Sequence, residues 1–159
     1  MIFVTVGTQL AFDRLIKAVD VWAENNPTEA VFAQIGPGEY KPKYCAFADF
    51  VAPDKANDYF RNADIIVSHA GMGSILTALK FQKPILVLAR KASLGEHRNE
   101  HQLATAKWLG KKPGVFVAES DQDISSILNA RGNLKSGESI SEFADPKFTK
   151  RLQNYIDLA

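Results

Sequence analysis

The sequence predicts a single α/β domain in which a parallel sheet of about six strands is covered by helices on both faces. Short apolar, β-branched runs alternate with helical patterns from the first residues onward, and this alternation is typical of parallel strand–helix–strand units. The length of 159 residues is close to that of one domain, and 46% hydrophobic residues provide enough apolar surface for one packed core.

Each predicted element follows from the spacing of apolar residues and from the turn residues that end it. In chain order, the predicted strands are residues 2–6, 30–35, 46–51, 64–68, 85–88 and 114–118. The predicted helices between them are residues 12–22, 54–62, 75–80, 100–109 and 121–129. The strands are short apolar runs closed by breakers, such as Gly36-Pro37-Gly38 after the second and Pro53 after the third. The helices repeat apolar residues every three or four positions, and Asp54 is the predicted N-cap of the second.

The last thirty residues have a different composition. Residues 131–142 are rich in Gly, Ser and charge, which is typical of a mobile link. A final amphipathic helix is predicted at 146–158, and the apolar side chains that share one side of it are Phe148, Leu152, Tyr155 and Ile156. We expect a binding domain at 1–130 and a tail at 131–159. The tail helix should pack on the domain, which is the favoured arrangement, or on a partner.

Composition limits the classes of function. Nineteen Lys and Arg stand against eighteen Asp and Glu, so a net charge of +1 provides no global field to attract nucleic acid or an anionic membrane. The only cysteine, Cys45, excludes an internal disulfide and a Cys-rich zinc cluster and fits a reducing compartment. No apolar stretch approaches the ~20 residues needed to cross a bilayer. We therefore expect a cytoplasmic protein that reaches a membrane only through a partner.

Two turns have the form of phosphate-binding loops. Gly7-Thr8-Gln9 follows the first strand, and the segment from Ser68 and His69 through Gly71, Met72 and Gly73 to Ser74 follows the fourth. Open α/β sheets bind ligands where parallel strands end and helices begin. In the second turn, glycines allow the main chain to approach a ligand, and the next helix directs unpaired N–H groups at an anion.

Three familiar interpretations of these turns lose support. No Gly-Lys-Ser/Thr follows either turn, and neither has the spacing of a dinucleotide fingerprint, so ATPase and NAD-binding functions are disfavoured. Ser74 lacks the Gly-x-Ser-x-Gly elbow of a serine hydrolase. The alternative that remains is ordinary turn chemistry, in which Gly71 and Gly73 end a strand for conformational reasons alone.

A polar cluster at residues 95–102 decides between these alternatives. It gathers two imidazoles, two carboxylates and two amides at a loop-to-helix junction; the candidate ligand-binding side chains in it are Glu96, His97, Asn99, His101 and Gln102. Such groups suit a hydroxyl-rich ligand, and histidine changes charge near pH 7. The alternative is a solvated helix start capped by Asn99. A metal site at His97 and His101 is disfavoured because no third ligand is evident.

Taken together, the start MIFVTVGTQ, the loop SHAGMGSI and the segment GEHRNEHQ resemble the glycosyltransferase family 28 C-terminal domain. More narrowly, residues 1 to about 130 are similar to small stand-alone subunits of the Alg13 type and to their exopolysaccharide counterparts of the PssE type. The resemblance implies a Rossmann-like domain equivalent to the C-terminal, donor-binding half of a GT-B glycosyltransferase. It also implies a UDP-sugar donor and a separate membrane-anchored, Alg14-like or PssD-like chain that binds a lipid-linked sugar acceptor.

The same resemblance assigns site residues. Gly7, Thr8 and Gln9 would face the cleft between the two halves, and the main chain of Met72, Gly73 and Ser74 would hold the diphosphate. His101 and Gln102 would contact the sugar, and the backbone near Val51 and Ala52 would hold uracil. Thr77 stands where relatives often place an acidic residue against the ribose, and a threonine cannot bind a diol with two oxygens.

The expected reaction is sugar transfer with inversion, without a metal or other cofactor. The helix N–H groups at Gly73 and Ser74, helped by His69 or His97, would stabilise the departing UDP. His97 or Glu96 is the local candidate for the catalytic base, and the base could also lie on the partner. Two alternatives are a regulatory nucleotide-sugar-binding subunit without catalytic residues and a fragment of a sugar-nucleotide epimerase, which would need a second domain. An isolated chain is expected to form homodimers or to aggregate through the apolar face that the partner covers.

Overall fold

The computed structural model describes residues 1–139 and 146–157, and this part of the chain contains one six-stranded parallel sheet. The strands are β1 (Ile2–Thr5), β2 (Val31–Gln34), β3 (Ala46–Ala48), β4 (Ile65–His69), β5 (Ile85–Leu88) and β6 (Val115–Ala118). The helices are α1 (Asp13–Glu24), α2 (Pro53–Asn62), α3 (Met72–Lys80), α4 (His101–Leu109), α5 (Asp123–Asn129) and α6 (Pro146–Asp157). The predicted fold class and strand count are confirmed.

The strand order, β3-β2-β1-β4-β5-β6, determines where a ligand can bind. The chain first runs outward from β1 to β3 and then returns to the other side of β1, where β4 pairs with it in parallel. The connections that leave β1 and β4 therefore diverge, and a crevice opens at the carboxyl ends of these two strands. Both predicted phosphate-binding turns leave the sheet at this point.

Alternating side chains of the central strand fill two cores, one on each face of the sheet. Ile2 and Val4 pack in the cluster that includes residues of α1 and α5, and Phe3 packs in the cluster formed with α2, α3 and α4. Phe3 stacks on Tyr59 at 5.1 Å between ring centroids and meets the edge of Phe60 at 5.2 Å. Because both faces of β1 are buried, the strand holds the turn that follows it in a fixed position.

Several predicted boundaries are wrong by a few residues. The third strand ends at Ala48 rather than at residue 51, and α2 begins at Pro53 after Ala52, so Asp54 lies inside the first turn and is not the cap. The fixed φ of proline suits the first helical position, which explains the earlier start. α4 begins at His101 and α5 at Asp123, each later than predicted.

The predicted link is partly held on the domain. Arg131 forms an ion pair with Glu29, and Gly137 lies so close to the backbone of Pro113 that an added Cβ would be 2.1 Å from its carbonyl oxygen. Residues 140–145, which include the end of the link, and Leu158 lie outside the described residues.

The tail helix α6 is present as predicted, but its apolar side is exposed. Phe148, Leu152, Tyr155 and Ile156 are 49–76% exposed, so the favoured packing of α6 on the domain is not observed. Packing on a partner remains a prediction. Within the described ranges, no helix combines the length and the apolar character that a membrane crossing requires.

Candidate active site

A cleft of about 390 Å³ lies at the carboxyl ends of β1 and β4, where the strand order reverses. It brings together nine of the predicted site residues: Gly7, Thr8, Gln9, His69, Gly73, Ser74, Thr77, His97 and Gln102. They come from both predicted turns, from α3, and from the polar segment before and inside α4. Larger depressions of about 450 and 550 Å³ lie elsewhere, beside α1 and α5 and beside α4 and β6. Neither contains a residue of the two phosphate-binding turns, and two depressions of about 430 Å³ contain only one such residue each, Met72 or Thr8. We place the candidate site in the smaller cleft because residues of both turns line it.

The imidazole of His69 fills the space between the two turns. A Cβ added to Gly7 would lie 2.9 Å from its Cε1 atom, and one added to Gly71 would lie 2.1 Å from its Nε2 atom. Gly7 also has a φ of 77°, which favours glycine on its own. Gly71 has φ −89° and ψ 135°, angles that any residue adopts. The requirement for glycine at position 71 is therefore the close approach of the His69 ring.

His69 is neutral at pH 7. Burial, together with the nearby charge of Arg90, lowers the pKa of His69 to about 4. The Ser68 hydroxyl donates to the carbonyl oxygen of Thr5 at 3.0 Å and lies 3.2 Å from His69 Nδ1, which assigns the ring proton to Nδ1. His69 therefore offers neither a positive charge nor a free N–H group to an anion. The geometry does not support the prediction that His69 helps to stabilise the departing UDP.

The N-terminus of α3 opens into the cleft. The first N–H group that donates to a carbonyl of the preceding turn is that of Ile75, which donates to Gly71 O at 3.2 Å. The N–H groups at the start of the helix before Ile75 have no acceptor within the helix. Gly73 and Ser74 line the cleft, and a Cβ added to Gly73 would meet nothing within 4 Å. The cleft therefore combines open space with the positive end of a helix dipole, an arrangement suited to an anion.

Thr77 lies one turn further along α3, in the wall of the same cleft. Its hydroxyl donates to the carbonyl oxygen of Gly73 at 2.8 Å. The proton is thus in use inside the helix, and the oxygen can only accept a hydrogen bond from a ligand hydroxyl. A single acceptor at this position agrees with the expectation that a threonine cannot bind the ribose diol with two oxygens.

Gln102 and Arg90 form one wall of the cleft together. The side-chain oxygen of Gln102 accepts the backbone N–H of Arg90 at 3.1 Å, which leaves the amide NH₂ group of Gln102 as a donor for a ligand. The guanidinium of Arg90 donates from Nη2 to the carbonyl oxygens of Val6 and Leu10. Sequence reasoning missed four lining residues, which are Val6, Leu10, Phe60 and Arg90. For Arg90 a signal was available, since it is the first charged residue after the apolar run that forms β5.

Glu96, predicted as a possible base, is held away from the cleft by Arg14. Its two carboxylate oxygens accept Arg14 Nε and Nη2, both at 2.7 Å, and one of them also accepts the backbone N–H of Lys91 at 2.9 Å. The contact with Glu96 raises the pKa of Arg14, although burial opposes the shift. This ion pair connects α1 to the segment that carries His97, so the contacts of Glu96 are those of a positioning residue.

His97 is the member of this segment that reaches the cleft. Its Nδ1 atom lies 3.1 Å from the carbonyl oxygen of Asn99 and 3.3 Å from the Asn99 amide nitrogen. Asn99 and His101 are exposed and do not line the cleft, and the Asn99 side chain accepts the His101 N–H at 3.2 Å. The predicted alternative, in which Asn99 caps the helix, is wrong in its position: the N-cap of α4 is Glu100, and Asn99 lies one residue before it.

The remaining predicted residues lie around the cleft rather than in it. Met72 is 43% exposed and faces an apolar depression shared with Leu76 and Trp108. The backbone N–H of Val51, predicted to contact uracil, donates to the side chain of Gln34 at 3.2 Å. Uracil recognition there would depend on the remaining backbone groups near Val51 and Ala52. Among the residues that the structure describes, no group of three or more His, Cys, Asp or Glu could hold a metal ion.

Comparisons with known proteins agree with this arrangement. The family model of the glycosyltransferase family 28 C-terminal domain matches residues 1–143. The UDP-N-acetylglucosamine transferase subunit ALG13 of Homo sapiens is 30% identical over 158 residues, which cover 90% of this chain and 14% of that protein. The protein of the same name from Candida albicans is 41% identical over 101 residues, which cover 64% of this chain and 30% of that protein. The chain thus spans only a small part of these relatives.

Solved structures show the same fold. The NMR solution structure of ALG13 superposes with a TM-score of 0.62 at 18% identity, covering 95% of this chain and 94% of that one. The crystal structure of the glycotransferase of kitacinnamycin superposes with a TM-score of 0.61 at 16% identity, covering 96% of this chain and 37% of that one. The predicted resemblance and the equivalence to one half of a GT-B enzyme are confirmed. Since the family match includes the whole sheet and both turns, the chain belongs to the glycosyltransferase family 28 C-terminal domain family.

Proposed function

We propose that this chain is the donor-binding, catalytic subunit of a two-component inverting glycosyltransferase and that it binds a UDP-sugar in the cleft between the turns after β1 and β4. The observation that carries the proposal is the convergence on one cleft of the α3 N-terminus, Ser74, Gln102 and the buried cation of Arg90. A diphosphate requires N–H donors and positive charge, and a sugar requires amide and hydroxyl partners.

UDP is the nucleotide we propose because the relatives named above are UDP-N-acetylglucosamine transferase subunits. The uracil would contact the backbone near Val51 and Ala52, and the ribose would contact Thr77. The sugar would lie toward Gln102 and His97, with His101 at the outer edge. No metal or other cofactor is part of the proposal, because the unpaired N–H groups and the positive dipole end of α3 would face the diphosphate.

The second component is a membrane-anchored, Alg14-like or PssD-like chain that binds a lipid-linked sugar or polysaccharide precursor. This part of the proposal is supported by the word subunit in the relatives' names and by the exposed apolar stripe of α6, which a partner would cover. The chain would then work at the cytoplasmic face of a membrane, in exopolysaccharide or capsule biosynthesis. Recruitment would take place through the partner.

The mechanism follows from the cleft. The acceptor hydroxyl attacks the anomeric carbon, the bond from that carbon to the diphosphate oxygen breaks, and its electron pair remains on UDP. N–H groups at Gly73 and Ser74 would stabilise the charge that develops on the diphosphate. His97 is the base candidate on this chain, because Glu96 is committed to Arg14. If reconstituted enzyme keeps its turnover after His97→Ala, the base lies on the partner or the chain is a regulatory subunit.

Calorimetric titration of the purified chain with UDP, ADP and GDP tests the donor-binding role. We expect UDP to bind and the other two nucleotides to bind more weakly or not at all. Ser74→Trp should abolish UDP binding because the indole fills the space at the α3 N-terminus. Ser126→Trp, at an exposed position in α5, is the matched control and should bind like the wild type. Equal binding by all three nucleotides, or unchanged binding by Ser74→Trp, would contradict the proposed site.

A further inference from the structure

Arg90 is a buried cation in the wall of the candidate site. The side chain is 3% exposed, and its Nη2 group donates to Val6 O at 2.8 Å and to Leu10 O at 2.6 Å. These two bonds fix the guanidinium against the backbone on either side of the turn after β1. The Nε atom is buried and has no hydrogen-bond partner. A buried polar atom without a partner is costly, and such atoms in native proteins frequently mark a functional group.

In the described part of the chain, no carboxylate forms an ion pair with Arg90. The Glu96 carboxylate acts on the Arg90 charge through space, but its hydrogen bonds are made to Arg14 and to the backbone of Lys91. Both guanidinium groups lie over the ring of Phe12, at 5.2 Å for Arg14 and 5.0 Å for Arg90. Burial lowers the pKa of Arg90 to about 10, so the group still carries its charge at neutral pH. An unpaired buried charge is expensive to keep unless a ligand balances it.

We propose that Arg90 is the charge that binds the diphosphate of the donor and stabilises it as the sugar departs. The inference rests on the proposed function and assigns to it a residue that sequence reasoning did not identify. Arg90 is the only Lys or Arg among the residues that line the cleft in the described part of the chain. His69 lies in the same cleft but is neutral at pH 7. The α3 N-terminus supplies N–H donors and a partial positive charge, and Arg90 supplies a full positive charge.

This role also explains how the cleft lowers the barrier to transfer. When the bond between the anomeric carbon and the diphosphate oxygen breaks, the bond to the acceptor oxygen forms and the acceptor proton passes to the base. The electron pair of the broken bond stays on the diphosphate, whose negative charge therefore increases. A cation that the fold already holds in place stabilises this charge without reorganisation. Arg90 thus acts more strongly on the transition state than on the bound donor.

The test compares UDP with uridine, since only UDP carries the diphosphate. Dissociation constants for both are measured by ligand-observed NMR for the wild type, Arg90→Gln and Arg90→Lys. We expect Arg90→Gln to weaken UDP binding by about 10- to 100-fold, the range for hydrogen bonds to a charged group, and to leave uridine binding within about 2-fold. Arg90→Lys, which keeps the charge, should lose less. Arg131→Gln removes an arginine that stacks on Trp22 away from the cleft and is the matched control.

A merely structural role for Arg90 gives a different result. If the bonds to Val6 and Leu10 only hold the turn after β1, Arg90→Gln should weaken UDP and uridine equally, and that outcome would overturn the inference while leaving UDP binding by the wild type intact. Failure of the wild type to bind UDP would instead contradict the proposed function.

A second readout needs no variant. The side-chain ¹⁵N–¹H signal of Arg90 Nε should shift when inorganic pyrophosphate or UDP is added and should stay in place with uridine. The inference would be overturned if UDP shifted the backbone amide of Ser74 and left the Arg90 Nε signal unchanged.

Discussion

The packing of His69 against Gly71 gives a prediction whose size can be worked out from the structure. In Gly71→Ala, the new Cβ would lie 2.1 Å from Nε2 and 2.7 Å from Cδ2 of His69, well inside van der Waals contact. The ring has little room to move, because Gly7 lies on its other side and Nδ1 contacts Ser68. Overpacking of this kind costs about 1–3 kcal/mol. At this chain length, each kcal/mol lowers the melting temperature by about 2–4 °C.

A double-mutant cycle isolates the contact. Thermal and urea unfolding are measured for Gly71→Ala, for His69→Ala and for the double variant. Once the ring is absent, Gly71→Ala should be neutral or stabilise by about 0.4–1 kcal/mol, because alanine restricts the unfolded chain and φ −89° suits it. Gly73→Ala is the matched control, since its Cβ meets nothing within 4 Å. It should keep or raise the stability. An equal loss from Gly71→Ala with and without His69 would refute the steric argument.

Three further predictions follow from the same structure. The unfolding free energy should fall by about 2 kcal/mol between pH 7 and pH 5, because His69 binds a proton at the ordinary pKa of 6.5 in the unfolded state and only near 4 in the folded state. The contribution of His69 to stability is complete above pH 6.5 and is lost as the pH falls. A His69→Ala variant whose stability kept the same pH dependence would disprove this prediction. Glu96→Gln should lower the unfolding free energy by about 2 kcal/mol because it weakens the contact with Arg14, and the turnover of the reconstituted enzyme should fall together with this stability. A complete loss of turnover at unchanged stability would instead identify Glu96 as a base. In sedimentation experiments, the isolated chain should self-associate with increasing concentration through the exposed apolar side of α6. Leu152→Glu should prevent this association and Lys150→Glu should not. A wild type that stays monomeric at all concentrations would contradict this prediction.

Much of the fold could be predicted because buried parallel strands have a clear signature. The runs that form β1, β4 and β5 are apolar on both faces and end at turn residues, so their positions follow from the sequence alone. The start of α2 at Pro53 was missed because Asp54 is the stronger cap by residue type, whereas the fixed φ of proline determined the first helical position. The arrangement of α6 was not predicted correctly: packing on the domain was favoured, but an apolar stripe does not by itself specify which surface covers it, and in the structure the stripe is exposed.

The position of the site could be predicted from the sequence, but the charged residues that form it could not. The two turns and Gln102 could be placed because strand ends meet at one edge of the sheet. The pairing of Arg14 with Glu96 joins residues 82 positions apart in the chain, and no local pattern reports such a contact. Arg90 was missed for the same reason: that it is buried, and that Glu96 forms its ion pair with Arg14 instead, is known only from the structure. Glu96 therefore looked catalytic in the sequence and is a partner of Arg14 in the structure.

The most direct test of the central claim is an amide NMR titration of the ¹⁵N-labelled chain with UDP. The account predicts saturable shifts concentrated at Gly7, Thr8, Gly73, Ser74 and Gln102, which line one cleft although they lie far apart in the sequence. Shifts confined to the depression beside α4 and β6, or no saturable shift at any concentration, would contradict a donor site at the ends of β1 and β4.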